Sequence, residues 1–179
     1  MTRNFLDIGP EREPFAGLED MHKKLGLHPE DGDKFVMIDA DKRKLVLAQR
    51  SWWKQGLWRK PFSDLYVQCK AQLLPFDDAS MDFVVMGNVL NYFVPETQAE
   101  RTASDYDRTV LLVRKNIIKE CVRVLKPRGD LVVWHHHGIV HPETYEDTMN
   151  TLRHHPRLTL WNRFRSGLSF VEDFEKDTF

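Results

Sequence analysis

The sequence predicts an α/β fold in which a doubly wound, mostly parallel sheet ends in a C-terminal antiparallel hairpin. Short apolar segments of strand character alternate five times with segments of helical character, which is the order of parallel strands joined by right-handed crossovers. Two further strand-like segments lie close together at Ser166-Gly167, as in a hairpin. A chain of 179 residues is long enough to bury one core, so we expect a single domain over 1–179.

The first half of the chain supplies four predicted strands and two predicted helices. The strands are expected at 4–9, 34–39, 64–69 and 82–87 because each is a short apolar run bounded by polar residues. The helix over 15–26 follows from apolar residues at helical spacing and from Gly26 as a stop signal. The basic segment 41–50 contains the run Leu-Val-Leu-Ala and is also expected to be helical.

The second half contains a long helix, a fifth strand, a short helix and the hairpin. Val110, Val113, Ile117, Cys121 and Leu125 fall on one face of a helix over 107–126, and a Pro-Arg-Gly turn at 127–129 is expected to end it. The strand LVVW at 131–134, a helix over 143–154, and the hairpin strands 158–164 and 168–174 complete the order.

Composition excludes several classes of partner. Hydrophobic residues make up 41% and charged residues 30%, and the net charge of −1 gives no reason to expect nucleic acid as a partner. Cys69 and Cys121 are too few and too far apart for a disulfide framework or a cysteine-based zinc site. No apolar run approaches the roughly 20 residues that cross a bilayer. We therefore expect a cytoplasmic protein without a membrane partner.

Four segments resemble the class I S-adenosylmethionine-dependent methyltransferases, of the type 11-like group, and occur in that family's order. They are FLDIGP (5–10), FVMIDADKRKLVLAQR (35–50), LLPFDDASMDFVVMGNVLNYF (73–93) and ECVRVLKPRGDLVVW (120–134). The resemblance implies a Rossmann-like sheet, S-adenosylmethionine as cofactor, and methyl transfer to an unknown small-molecule or protein acceptor. Parallel sheets of this kind bind ligands outside the carboxyl ends of their strands.

The resemblance also implies a set of cofactor-binding residues at those strand ends. Asp39 would accept hydrogen bonds from the ribose hydroxyl groups; alternatively, it is the N-cap of the following helix. Gly9 would let the backbone approach the methionine moiety, or is an ordinary turn glycine. Asp7 would orient that loop, or caps the segment after it. The remaining candidates are Ala71 and Gln72, at the adenine-binding turn, and Asn88, which is placed to reach the methionine moiety or the acceptor, or has only a turn role.

The glycine motif of the family is degenerate in this chain. Where two further glycines are expected, the sequence has Pro10-Glu11-Arg12-Glu13 after Gly9. Proline lacks an N–H donor, and the two glutamates add negative charge where a carboxylate should bind, although Arg12 can pair with that carboxylate. Lys70 replaces the acidic residue that commonly meets the adenine amino group. These departures favour an alternative function, a non-catalytic partner or scaffold subunit.

Histidines follow the fifth strand in the segment WHHHGIVH (134–141). Strand alternation puts His135 and His137 on one face and His136 on the other. A histidine at this position can serve as the general base that methyl transfer to oxygen or nitrogen requires, so His135 and His137 are the catalytic candidates. A metal site and purely structural roles are the alternatives, and no metal is expected.

Three tryptophans alternate with basic residues in the segment SWWKQGLWRKPF (51–62). Such a segment can stack on single-stranded nucleic acid or lie at a membrane interface. In a neutral protein, core packing or a contact in a homo-oligomer is the preferred interpretation. A second subunit that closes the active site is a further possibility.

Overall fold

The computed structural model describes residues 2–10, 32–54, 63–87, 89–90, 103–136, 142–166 and 169–177. Seven strands and three helices occur in these ranges. In chain order they are β1 (Asn4–Ile8), β2 (Lys34–Asp39), α1 (Lys42–Lys54), β3 (Ser63–Gln68), β4 (Met81–Gly87), α2 (Ala103–Val124), β5 (Leu125–His136), α3 (Pro142–Arg153), β6 (Leu158–Ser166) and β7 (Ser169–Lys176). The helix predicted over 15–26 lies outside the described residues.

The strands form one sheet in the order β3-β2-β1-β4-β5-β7-β6. The first five strands are parallel, whereas β7 runs antiparallel to both β5 and β6. The predicted fold class is therefore confirmed, including the hairpin. The direction of winding reverses between β1 and β4, and this is the position where doubly wound sheets open a ligand crevice at their carboxyl edge.

The two faces of the sheet carry different apolar residues because strand side chains alternate. Leu6 and Ile8 lie on the face that packs in the main buried cluster, which also includes Ile117 and Cys121 of α2 and Leu152 of α3. Phe5 lies on the opposite face, where its ring stacks on Phe35 with centroids 4.8 Å apart and tilts against Phe83 at 5.6 Å. Burial on both faces explains why these strands are continuously apolar rather than alternating.

The boundary between α2 and β5 differs from the prediction. The helix ends at Val124 rather than at 126, and β5 begins at Leu125 rather than at 131. Leu125 pairs with Met81 and Asp130 pairs with Phe83, so the register shifts between the two pairs and the Pro-Arg-Gly turn is taken up inside the strand. The helix ends three residues before Pro127, because Leu125 pairs with the neighbouring strand β4, and local sequence cannot reveal this pairing.

The C-terminal strand is tied to α2 by a buried lysine that sequence analysis missed. Lys176, which is 7% exposed, donates from its Nζ to the carbonyl oxygens of Val122 (2.7 Å) and Leu125. Val122 lies in the last turn of α2, where intrahelical donors run out, and Leu125 is the first residue of β5. Burial lowers the pKa of Lys176. Among the described helices, none is long and apolar enough to cross a membrane.

Candidate active site

Hydrogen bonds beyond the strand ends hold three parallel strands in line at the carboxyl edge of the sheet. The N–H of Gly9, just after β1, donates to the carbonyl oxygen of Ile38 in β2 at 2.9 Å. The N–H of Cys69, just after β3, donates to the carbonyl oxygen of Asp39 at 3.1 Å. Gly9, Asp39 and the segment after Cys69 are thus brought side by side, next to the reversal between β1 and β4.

Gly9 is required by the fold itself. Its φ is +71°, in the left-handed region that favours glycine. A Cβ atom at this position would lie 2.6 Å from Cγ2 of Val89, in the turn after β4. The chain therefore passes close to the neighbouring turn at this point, and the interpretation of Gly9 as a turn glycine explains its presence without any ligand.

The loop after β2 separates the two roles that the sequence left open for Asp39. Asp41 caps α1, since its Oδ1 accepts the N–H of Arg43 at 2.8 Å and its carbonyl oxygen accepts the N–H of Lys44 at 3.0 Å. Asp39 lies two residues before Asp41, and its Oδ1 accepts the N–H of Asp41 at 2.8 Å. The alternative of Asp39 as the N-cap is therefore wrong, because Asp41 has that position.

Arg43 also acts on the charge of Asp41, and Asp39 differs from Asp41 in its position. The hydrogen bonds from Arg43 lower the pKa of Asp41. Asp39 is half-buried at the strand end. Its carboxylate is the kind of group that accepts hydrogen bonds from the hydroxyl groups of a ribose.

Ala71 and Gln72 occupy the centre of a turn just after β3. The N–H of Leu73 donates to the carbonyl oxygen of Lys70 at 3.0 Å and closes the turn over 70–73. Ala71 packs against the main buried cluster, and Lys70 is exposed. At the end of β3, the side-chain amide of Gln68 donates to the carbonyl oxygen of Ala40 at 3.0 Å, which joins the turn to the loop that contains Asp39.

The other predicted residues have different positions. Asp7 lies in β1, two residues before Gly9, and is 2% exposed. His135 lies near the carboxyl end of β5 and pairs with Phe170 of β7. In the register of β4 and β5, Gly87 is aligned with Trp134, so His135 continues one residue past the end of β4. Asn88 and His137 lie outside the described residues.

Sequence analysis missed two residues of α2 that contact the loop between β3 and β4. Glu120 accepts the N–H of Leu74 at 2.9 Å, and Arg123 donates to the carbonyl oxygens of Leu74 and Phe76 at 2.9 and 2.8 Å. The side-chain hydrogen bond from Arg123 lowers the pKa of Glu120. Their spacing of three residues along a helix was an available signal, since such pairs are neighbours on the helix surface.

A cavity of about 270 Å³ lies at the opposite edge of the sheet, where β1, β4 and β5 begin. Its charged lining is largely neutralised: Lys126 contacts Asp82 at 2.7 Å, and Arg3 contacts Asp33 at 2.7 Å. It is distant in the fold from Gly9, Asp39 and Gln72. Among the described residues, no three histidine, cysteine, aspartate or glutamate side chains form a group that could hold a metal ion.

Comparison with known proteins identifies the family. The profile of a family described as a methyltransferase domain matches residues 21–133, more than half of the chain. The chain belongs to the methyltransferase domain family. The class I resemblance is therefore confirmed, and S-adenosylmethionine is the cofactor that this family uses. No protein with curated annotation matches this methyltransferase domain in sequence.

Solved structures share the fold of this methyltransferase domain. A SAM-dependent methyltransferase from Methanosarcina mazei is 20% identical with a TM-score of 0.66, and the match covers 98% of this chain and 93% of that chain. One from Aquifex aeolicus is 17% identical with a TM-score of 0.60, over 97% and 82% of the two chains. A TehB-like enzyme from Corynebacterium glutamicum is 16% identical with a TM-score of 0.57, over 98% and 80%. At these identities, the likeness concerns the fold.

The residues at the carboxyl edge fit S-adenosylmethionine in chemical type. A half-buried carboxylate ends β2, a turn with backbone donors and acceptors follows β3, and a glycine with positive φ follows β1. These are the groups that a ribose, an adenine ring and an amino-acid moiety require. The segment Glu11-Arg12-Glu13, where the glycine motif is degenerate, lies outside the described residues. No finding supports the alternative of a non-catalytic partner subunit.

Proposed function

We propose that this protein is a single-domain enzyme that transfers the methyl group of S-adenosylmethionine to a nucleophilic acceptor. The proposed cofactor site is at the carboxyl edge of β1 to β4. Its residues are Asp7, Gly9, Asp39, Ala71, Gln72 and Asn88. The observation that supports this site best is the alignment of the strand ends by the hydrogen bonds of Gly9 to Ile38 and of Cys69 to Asp39.

Each proposed residue has a distinct role. The Asp39 carboxylate accepts the ribose hydroxyl groups, and the turn at Ala71 and Gln72 contacts the adenine ring with its backbone groups. Gly9 allows the methionine moiety to approach the backbone at the end of β1, and Asn88 contacts the methionine moiety or the acceptor. Asp7 is buried in the strand that leads to Gly9, and its role is to orient this loop.

The chemistry requires mainly that the chain orient two reactants and remove one proton. When bound, the cofactor supplies an activated methyl group, which passes in line to the acceptor atom as the carbon–sulfur bond breaks. An acceptor oxygen or nitrogen must then lose its proton. We assign this proton to His135 or His137, because β5 ends beside β4 and imidazole accepts protons near neutral pH.

The acceptor is a small molecule or a protein with an oxygen or nitrogen nucleophile. A cytoplasmic location is supported by Cys69 and Cys121, which are both free thiols, as expected in a reducing compartment. Burial raises the pKa of both thiols, so neither is an activated nucleophile. A homo-oligomer or a partner subunit that covers the acceptor side is compatible with this proposal.

The test is calorimetric titration with S-adenosylmethionine and S-adenosylhomocysteine. Replacing Asp39 with Ala should weaken binding by about 1–3 kcal/mol, the range of a lost hydrogen bond to a charged group. Asp41→Ala is the matched control, because it removes a carboxylate two residues away that caps α1 and should leave affinity unchanged. Absence of binding to the wild-type protein at millimolar cofactor would refute the proposed function.

A further inference from the structure

The loop between β3 and β4 spans residues 69–80 and contains neither helix nor strand. It begins at the carboxyl edge of the sheet, where the turn over 70–73 is located, and ends where β4 starts at Met81. Irregular loops of this length are uncommon in compact domains and are often functional. Hydrogen bonds within the loop, such as that of Leu73 to Lys70, are supplemented by contacts from residues outside it.

The guanidinium of Arg123 in α2 makes three of these contacts. Its Nη2 donates to the carbonyl oxygen of Leu74 at 2.9 Å, and its Nη1 donates to the carbonyl oxygen of Phe76 at 2.8 Å and to Oδ1 of Asp78 at 2.7 Å. Its Nε and Nη2 also donate to the two carboxylate oxygens of Glu120, at 2.9 and 2.8 Å. The planar guanidinium thus binds three residues of the loop at once, a geometry that a lysine ammonium cannot reproduce.

Glu120 completes the arrangement around Leu74. Its Oε2 accepts the N–H of Leu74 at 2.9 Å, so both backbone polar groups of Leu74 are bound by side chains of α2. Leu74 is 4% exposed, and its backbone groups would be left without these partners if either side chain were shortened. Arg123 also lowers the pKa of Glu120, which keeps the carboxylate ionised at neutral pH.

The turn over 70–73 is consequently held at both ends. On one side, the N–H of Cys69 is bound to the carbonyl oxygen of Asp39; on the other, Leu74 is bound to Glu120 and Arg123. We propose that Glu120 and Arg123 are positioning residues for the cofactor, which fix this turn so that Ala71 and Gln72 face the adenine ring. This inference rests on the proposed function. Neither side chain touches the reacting atoms.

The experiment compares Arg123→Lys and Glu120→Gln with the wild-type protein. Arg153→Lys is the matched control, because Arg153 forms a similar ion pair with Glu146 at 2.8 Å on α3. Binding of S-adenosylhomocysteine is measured by calorimetry, at a temperature where circular dichroism shows each variant to be folded. We expect Arg123→Lys to bind about tenfold more weakly, because the loop is less well preorganised, and Arg153→Lys to bind like the wild type.

A second ligand separates positioning from a general effect on stability. Methylthioadenosine retains the adenine ring but lacks the amino-acid moiety, so it should lose affinity for Arg123→Lys by the same factor. Wild-type affinity in folded Arg123→Lys, or a loss confined to S-adenosylhomocysteine, would overturn the inference. If Arg123→Lys does not fold, Glu120→Gln decides the question by the same criteria. A wild-type protein that binds neither ligand refutes the proposed function itself and, with it, this inference.

Discussion

Replacing Gly9 with Ala should destabilise the protein for two separable reasons. The first is backbone strain, because φ is +71° and the left-handed conformation costs an L-residue about 1–2 kcal/mol. The second is overpacking, because the new Cβ would lie 2.6 Å from Cγ2 of Val89, and such insertions cost about 1–3 kcal/mol. Alanine restricts the unfolded chain and returns about 0.4–1 kcal/mol. The expected net loss in the free energy of unfolding is about 1–5 kcal/mol, with the middle of the range near 3 kcal/mol.

Gly32 offers a matched control for the strain alone. Its φ is +95°, but a Cβ there would meet only the Oγ1 of Thr2 at 3.5 Å, an ordinary contact. Gly32→Ala should therefore cost about 1 kcal/mol or less, since no overpacking is added. Both variants are measured by urea denaturation with the wild-type protein under the same conditions.

The double variant Gly9→Ala/Val89→Ala isolates the overpacking. Removing the Cγ2 methyl group of Val89 eliminates the contact at 2.6 Å, while the Cβ of Val89 stays 3.9 Å away. The double variant should be about 1–2 kcal/mol more stable than the sum of the single changes predicts. If the two changes are additive, and Gly9→Ala costs no more than Gly32→Ala, the close approach of β1 to the turn after β4 is not as described.

Two further predictions concern protons. In an assay of methyl transfer to the acceptor, His135→Gln or His137→Gln should lower kcat about 100-fold or more and change the acid limb of the pH–rate profile. The affinity for the cofactor should stay unchanged. Full turnover in both variants would exclude these histidines from the mechanism. Asp130 lies directly opposite Glu175 in the pairing of β5 with β7, and burial together with this like charge raises the pKa of Asp130 to about 6. Because the folded pKa is above the unfolded value, ionised Asp130 lowers stability at pH 7, so Asp130→Asn should raise the free energy of unfolding by about 1 kcal/mol there. That gain should decline as pH falls from 6 to 4 in chemical denaturation, and a gain independent of pH would contradict the electrostatic cause.

Local sequence patterns were sufficient for the order of elements and for the fold class. Apolar runs, helical spacing and turn residues act over a few neighbouring positions, so β4 at Met81–Gly87 and α3 at Pro142–Arg153 agree closely with their predicted bounds. The family was also visible at this level, because its motifs are contiguous segments such as LPF at 74–76 and LKPRG at 125–129.

The residue at which β5 begins is determined by a tertiary contact. The sequence contains a proline, an arginine and a glycine that are typical of a turn, but these residues lie within β5, with Arg128 at a φ of +62°. Whether Leu125 before these residues is the end of a helix or the start of a strand depends on the availability of Met81 as a pairing partner. That partner is 44 residues away in the chain, beyond the range of any local pattern.

In the candidate site, too, some features follow from local sequence and others from tertiary contacts. The sequence by itself determined which residues follow each strand, and therefore that Gly9, Asp39, Ala71 and Gln72 are candidates for one edge of a parallel sheet. The cap of α1 by Asp41 is a contact between residues two positions apart, so it belongs to the local level, whereas only the tertiary structure decided that Arg123 holds the turn after β3. The physical reason is that a hydrogen bond to a backbone group depends on where two distant segments meet, and this position is set by the packing of α2 on the sheet.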